Sequence, residues 1–63
     1  MMPAAYVCTY ELRDGTTVRS TGRITLEDRP QPGHVLTLGH ERVRVQDVLP
    51  GANGELHIVL ERP

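Results

Sequence analysis

The sequence predicts an all-β protein: a single small five-stranded antiparallel barrel, or a strongly bent sheet, spanning residues 1–63 as one domain. Three observations carry this prediction. Apolar and polar residues alternate at period two in five separate runs. Glycine-containing turn signals separate the runs. No run shows the helical period of an amphipathic helix.

The stretch Gly33 to Val48 organises the rest. Leu36 and Leu38 share one side of its first arm, Val43 and Val45 share one side of its second, and Gly39 marks the bend. Apolar pairing of Leu38 with Val43 and Leu36 with Val45 favours a four-residue loop, Gly39 to Arg42, over a two-residue Gly39-His40 turn that sets Glu41 opposite Leu38. Upstream, Tyr6, Cys8, Tyr10 and Leu12 lie on one face of a first strand, and Val18, Ser20, Gly22, Ile24 and Leu26 on one face of a second. Asp14-Gly15 between them signals a hairpin. A three-residue loop, Arg13-Asp14-Gly15, matches the apolar faces, pairs Tyr10 with Val18 and Cys8 with Ser20, and requires positive φ at Gly15. Gly22 either bends the long second strand or makes room for Tyr6, its predicted cross-strand neighbour. Glu27 to Gly33 is a stiff connector, since Pro30 and Pro32 donate no backbone hydrogen bond. Leu49 to Gly54 reads as a wide turn. In the last strand, Glu55 to Glu61, Leu56, Ile58 and Leu60 face the core, and His57, Val59 and Glu61 face out.

A chain this short buries only about 60% of its unfolded surface, so association is an effective way to gain burial, and a homo-oligomer is the expectation. The core lacks Trp and Phe, and Tyr6 and Tyr10 are its only aromatics. Cys8 is the lone cysteine, which rules out an intramolecular disulfide and fits a reducing compartment. The N-terminal stretch shows neither a basic leader nor a long apolar run, so the expected location is the cytoplasm, with no membrane partner. All seven basic residues are Arg. A GC-rich bacterial genome accounts for that bias, and selection for bidentate phosphate or carboxylate contacts is the alternative.

The long strand, the loop ending Pro32-Gly33, the VLTLG and VRVQDV arms and the final strand together resemble small SH3-like barrels of bacteria. Pro32-Gly33-His34-Val35-Leu36 resembles the start of the KOW motif of ribosome- and transcription-associated barrels. The likeness ends there, because His34 stands where that motif carries an acidic or polar residue and its later glycines are missing. The resemblance implies a fold and transfers no functional residue.

No constellation points to catalysis. Ser20 is the only serine, it is predicted opposite Cys8 on the inner face, and no nucleophile elbow, phosphate loop or dinucleotide fingerprint occurs. Cys8, His34, His40 and His57 have no zinc-ligand spacing, so neither a metal nor another cofactor is expected. The one surface pattern is a set of arginines, Arg19, Arg23, Arg42 and Arg44, which could grip phosphates if strands two and four present the same side. Glu11, Glu27, Glu41 and Asp47 are interspersed with them, net charge is −1, and no exposed aromatic platform holds bases. The leading expectation is therefore a non-catalytic interaction or assembly module acting on a protein partner or on itself, through an outer patch drawn from Val7, Val35 and Val59. Nucleic-acid binding through the four arginines is the alternative.

Overall fold

The computed structural model describes residues 5–62, so the leader-free reading of residues 1–4 lies outside the described residues. Five strands form one curled sheet, a half-barrel: β1 (Tyr6–Asp14), β2 (Thr17–Leu26), β3 (Val35–Leu38), β4 (Glu41–Pro50) and β5 (Leu56–Glu61). Their spatial order is β2-β1-β5-β4-β3, which leaves β2 and β3 as edges. The sheet is mixed, not purely antiparallel as expected. Central β5 runs parallel to β1, pairing Cys8 with Leu56 and Leu12 with Leu60, and antiparallel to β4. Parallel neighbours need a long crossover, and β2, β3 and β4 together supply it.

The first hairpin closes through a two-residue turn, Gly15-Thr16, with Asp14 opposite Thr17. Gly15 takes the expected positive φ, 65°. Gly39 repeats that value in the second hairpin, where Leu38 sits opposite Glu41. Each hairpin thus places glycine first in a two-residue turn, the position where positive φ suits the right-handed strand twist. Both expected longer loops are corrected. In the second hairpin Leu36 still meets an apolar partner, Val43, and Glu41 at the strand end is balanced by Arg62 at 3.0 Å.

A bulge on β2 restores the apolar alternation that the first of these turns displaces, and a second bulge lies in the β4–β5 pairing. On β2 the pairing passes from Arg13–Val18 to Leu12–Ser20, with Arg19 as the extra residue. Val18 therefore leaves the inner face and is 48% exposed. Beyond the bulge Cys8 faces Ile24 and Tyr6 faces Leu26, so the faces agree as expected but in a register displaced along the strand. Leu12, not Cys8, is the partner of Ser20. The displaced register buries more apolar surface, because Cys8 meets an isoleucine in place of a serine. On β4 the bulge absorbs Gln46 and turns Val48 inward to face Ile58.

Cys8, Leu12, Val43, Val45, Ile58 and Leu60 form the buried core, flanked by half-buried Tyr6, Tyr10, Ile24, Leu26, Leu36, Leu38, Val48 and Leu56. All lie on the inner face. Tyr10, not Tyr6, is the neighbour of Gly22, and a Cβ there would stand 2.8 Å from its ring and its hydroxyl. Gly22 therefore makes room for a tyrosine, as one of its two readings held. Val59 is a correction: it sits on the outer face yet is only 6% exposed. Its strand is interior, and Glu11 on β1 and Asp47 on β4 flank it on both sides.

The connector after β2 is irregular, as expected, and Pro30 within it is buried. His34 N donates to Gln31 O, closing a turn over Pro32-Gly33, and Gly33 and His34 then bond to Val45 and extend the β3 side. The stretch read as a wide turn is shorter than expected: β4 continues to Pro50, and a single 3-10 turn over Ala52–Gly54 leads into β5. Among the described residues no helix is long and apolar enough to cross a membrane.

Candidate functional site

Alternation along the strands sorts the polar side chains onto the outer face. Thr9, Glu11 and Arg13 alternate with the core residues of β1, and His57 does the same on β5. Parallel pairing sets Thr9 beside His57. The result is a continuous chain of short contacts. Thr9 Oγ1 lies 2.8 Å from His57 Nδ1, His57 Nε2 lies 2.8 Å from Glu11 Oε1, and Arg13 Nε donates to Glu11 Oε2 at 2.7 Å. With Nε2 donating to the carboxylate, neutral His57 accepts the Thr9 hydroxyl proton at Nδ1. Both imidazole nitrogens are thereby engaged.

The hydrogen bond from His57 is the largest influence on Glu11 and the bond from Arg13 the next; they hold its carboxyl below the ordinary value of 4.5, against a partial desolvation that raises it. The sign follows directly. A carboxyl more acidic when folded adds stability above its unfolded pKa and loses it as pH falls through the folded value. Urea midpoints measured across the acid range are expected to fall as pH drops below about 4.5, and Glu11→Gln should flatten that limb. An equal acid slope in wild type and variant would show that Glu11 carries none of it.

The chain runs hydroxyl, imidazole, carboxylate, an order in which a carboxylate orients an imidazole toward a hydroxyl. It lies on an outer strand face, with the Glu11 side chain 18% exposed and Arg13 41%. A cleft lies elsewhere. About 360 Å³ opens between the end of β2 and the start of β3, lined in part by Leu26, Pro30, His34 and Leu36. None of the residues lining this cleft belongs to the hydrogen-bonded chain.

Three of the four predicted arginines share one face, and the four do not form one cluster. Arg23, Arg42 and Arg44 all lie on the outer face, as the pairs Thr9–Arg23, Thr37–Arg42 and Arg44–Glu61 show. Arg19 sits in the β2 bulge. Strands β1 and β5 separate the two pairs of arginines, a distance of about 14 Å at ordinary strand spacing, and carry Glu11 and Glu61 between them. Arg19 pairs with Asp14 at 3.5 Å and Arg23 with Glu55 at 3.4 Å. Among the described residues Arg42 and Arg44 make no ion pair.

The remaining candidates are dispersed. Cys8 is fully buried; burial, and secondarily the Glu55 carboxylate, push its thiol pKa up, which keeps it protonated and unreactive. His57 lies on the opposite face, and His34 and His40 flank β3. Among the described residues no three His, Cys, Asp or Glu side chains converge as metal ligands.

Sequence reasoning missed the Thr9–His57–Glu11–Arg13 chain. It placed Thr9, Glu11 and His57 on outer faces, but nothing local signals that the first and last strands are neighbours. Compared with family models, curated proteins and solved structures, the chain matches none of them.

Proposed function

We propose that this protein is a non-catalytic interaction or assembly module that binds by accepting a strand on the open edge of its sheet. One observation carries the reading: among the described residues the half-barrel does not close, and β2, ten residues long, has its outer edge unpaired. An unpaired edge offers a row of N–H and C=O groups to an extended segment, and main-chain bonds supply affinity without a side-chain pocket. The β2 edge carries no proline and no lysine, two of the usual defences of an edge strand. Its two arginines are each engaged by a carboxylate of their own chain. The other edge, β3, is only four residues long and less suited to pairing. The resemblance to small SH3-like barrels supports this module class at the level of fold, and the lone thiol and all-Arg basic set support a bacterial cytoplasmic setting.

The test is a displayed library of extended peptides, followed by amide NMR with the enriched ones. Expected are shifts concentrated on β2, with protection of its outward amides from hydrogen exchange. Binders that leave β2 unmoved would sink the reading. The alternative, nucleic-acid binding through Arg19, Arg23, Arg42 and Arg44, is favoured by one observation, the two arginines on β4 without an ion pair. A short mixed-sequence oligonucleotide in the same assay tests it. Shifts along both arginine pairs that fade with salt would promote it over strand addition.

A further inference from the structure

We propose that the strand added at β2 is β2 of a second copy, antiparallel to the first about a two-fold axis at Gly22, so that two half-barrels share one ten-stranded sheet. The inference rests on the strand-addition reading above and names its occupant. From Ser20 to Leu26, β2 pairs with β1 without interruption, so this segment presents a regular edge, and the bulge at Arg19 ends it. Ser20 to Arg23 are exposed, and Ile24 and Leu26 are only half-buried. The inner face is thus least covered along β2, where a neighbouring strand would cover it.

Charge permits a second copy as the partner and selects the register. In an isolated strand the arginines would repel a second copy, because like charges directly opposite are destabilising. Here Asp14 and Glu55 offset them within each chain. A two-fold axis at Arg23 would still set that residue against itself, and an axis at Thr21 would set Arg23 opposite Arg19 of the second copy. An axis at Ile24 would leave the exposed Ser20 and Thr21 unpaired. An axis at Gly22 sets Arg23 opposite Thr21 of the second copy and Ile24 opposite Ser20, with no like charges opposed along the regular segment. Gly22 then meets Gly22 at the centre. Each glycine is already covered by the Tyr10 ring of its own chain, close enough that a Cβ could not fit. The axis therefore brings two tyrosine rings together over the seam, on the inner face.

Sedimentation equilibrium on the intact chain should show a dimer. Thr21 is exposed on the outer face, so its variants should fold, which thermal unfolding checks. Thr21→Glu, facing Arg23 of the second copy, should tighten the dimer about tenfold and Thr21→Arg should loosen it about tenfold, since each dimer contains the pair twice. Under mild oxidation, a mixture of Thr21→Cys and Arg23→Cys chains should form the mixed disulfide in preference to either homodimeric one. Dominance of a homodimeric disulfide, or loosening by both charge variants, overturns the Gly22 register. A wild-type monomer whose β2 still takes library peptides overturns the second copy and leaves the strand-addition reading intact. A monomer whose β2 takes no strand overturns both.

Discussion

Ile58→Ala is expected to remove a large share of the protein's stability. Ile58 is fully buried and is the largest of the fully buried side chains. It sits on the central strand of the five, opposite Tyr10 of β1 and Val48 of β4. Truncating a buried isoleucine to alanine costs about 2–5 kcal/mol, from lost transfer energy and the cavity left behind. A chain of this length has a total stability of only about 3–9 kcal/mol at ordinary values per residue. The substitution therefore removes a large share of the whole. The urea transition should shift to much lower concentration, and amide hydrogen exchange should quicken across the sheet. Val18→Ala is the control: Val18 is 48% exposed outside the core, and its truncation should change stability by less than about 0.5 kcal/mol. A native spectrum and an unchanged midpoint for Ile58→Ala would mean that the inner face is not the core that holds this sheet.

The second large effect is expected at Gly51, for a reason unrelated to its backbone angles. Its φ of −110° and ψ of −172° are extended values open to any residue. What excludes a side chain is space: a Cβ would stand 2.9 Å from the backbone oxygen of Glu55 and 3.3 Å from its carbonyl carbon. Backbone cannot swing aside as a flexible side chain can. Gly51 N also donates to that same oxygen at 2.8 Å, and this bond closes the connection from β4 to β5. Gly51→Ala must pry the two segments apart, at a cost of about 1–3 kcal/mol, typical of overpacking. The loss should appear as a lower denaturant midpoint and as faster hydrogen exchange at the Pro50–Leu56 end of the β4–β5 pair. Gly22→Ala makes a useful comparison. Its Cβ meets only the far end of the Tyr10 side chain, which can move, so the cost there should be smaller. A Gly51→Ala midpoint equal to wild type would show that the β4–β5 connection opens without penalty.

Local pattern was enough to read the strand content, the inward set of β1 and β5, the positive φ of Gly15 and the inward position of Cys8. Alternation and turn chemistry are properties of neighbours along the chain, and they survive without tertiary context. Hairpin registers were less legible. Matching apolar faces constrains only the parity of a pairing, and a bulge can restore parity after a turn that breaks it, as Arg19 does on β2. The choice of two-residue turns in both hairpins depended on whether Glu41 and Val18 could be accommodated elsewhere, by Arg62 for the first and by solvent for the second.

The sequence by itself determined an all-β chain, one apolar face per strand, and a polar outer face on which Thr9, Glu11, Arg23, Arg44 and His57 all appear. Only the tertiary structure decided that β1 and β5 are parallel neighbours at the centre, that Val59 is buried among outward residues, and that β2 is left as an open edge. It also decided that Thr9, His57 and Glu11 form one hydrogen-bonded chain while the arginines remain two separated pairs. The physical reason is the same throughout. Pairing between strands far apart in sequence is set by how the whole set of apolar faces can be buried at once, and no local period encodes which strand lies beside which.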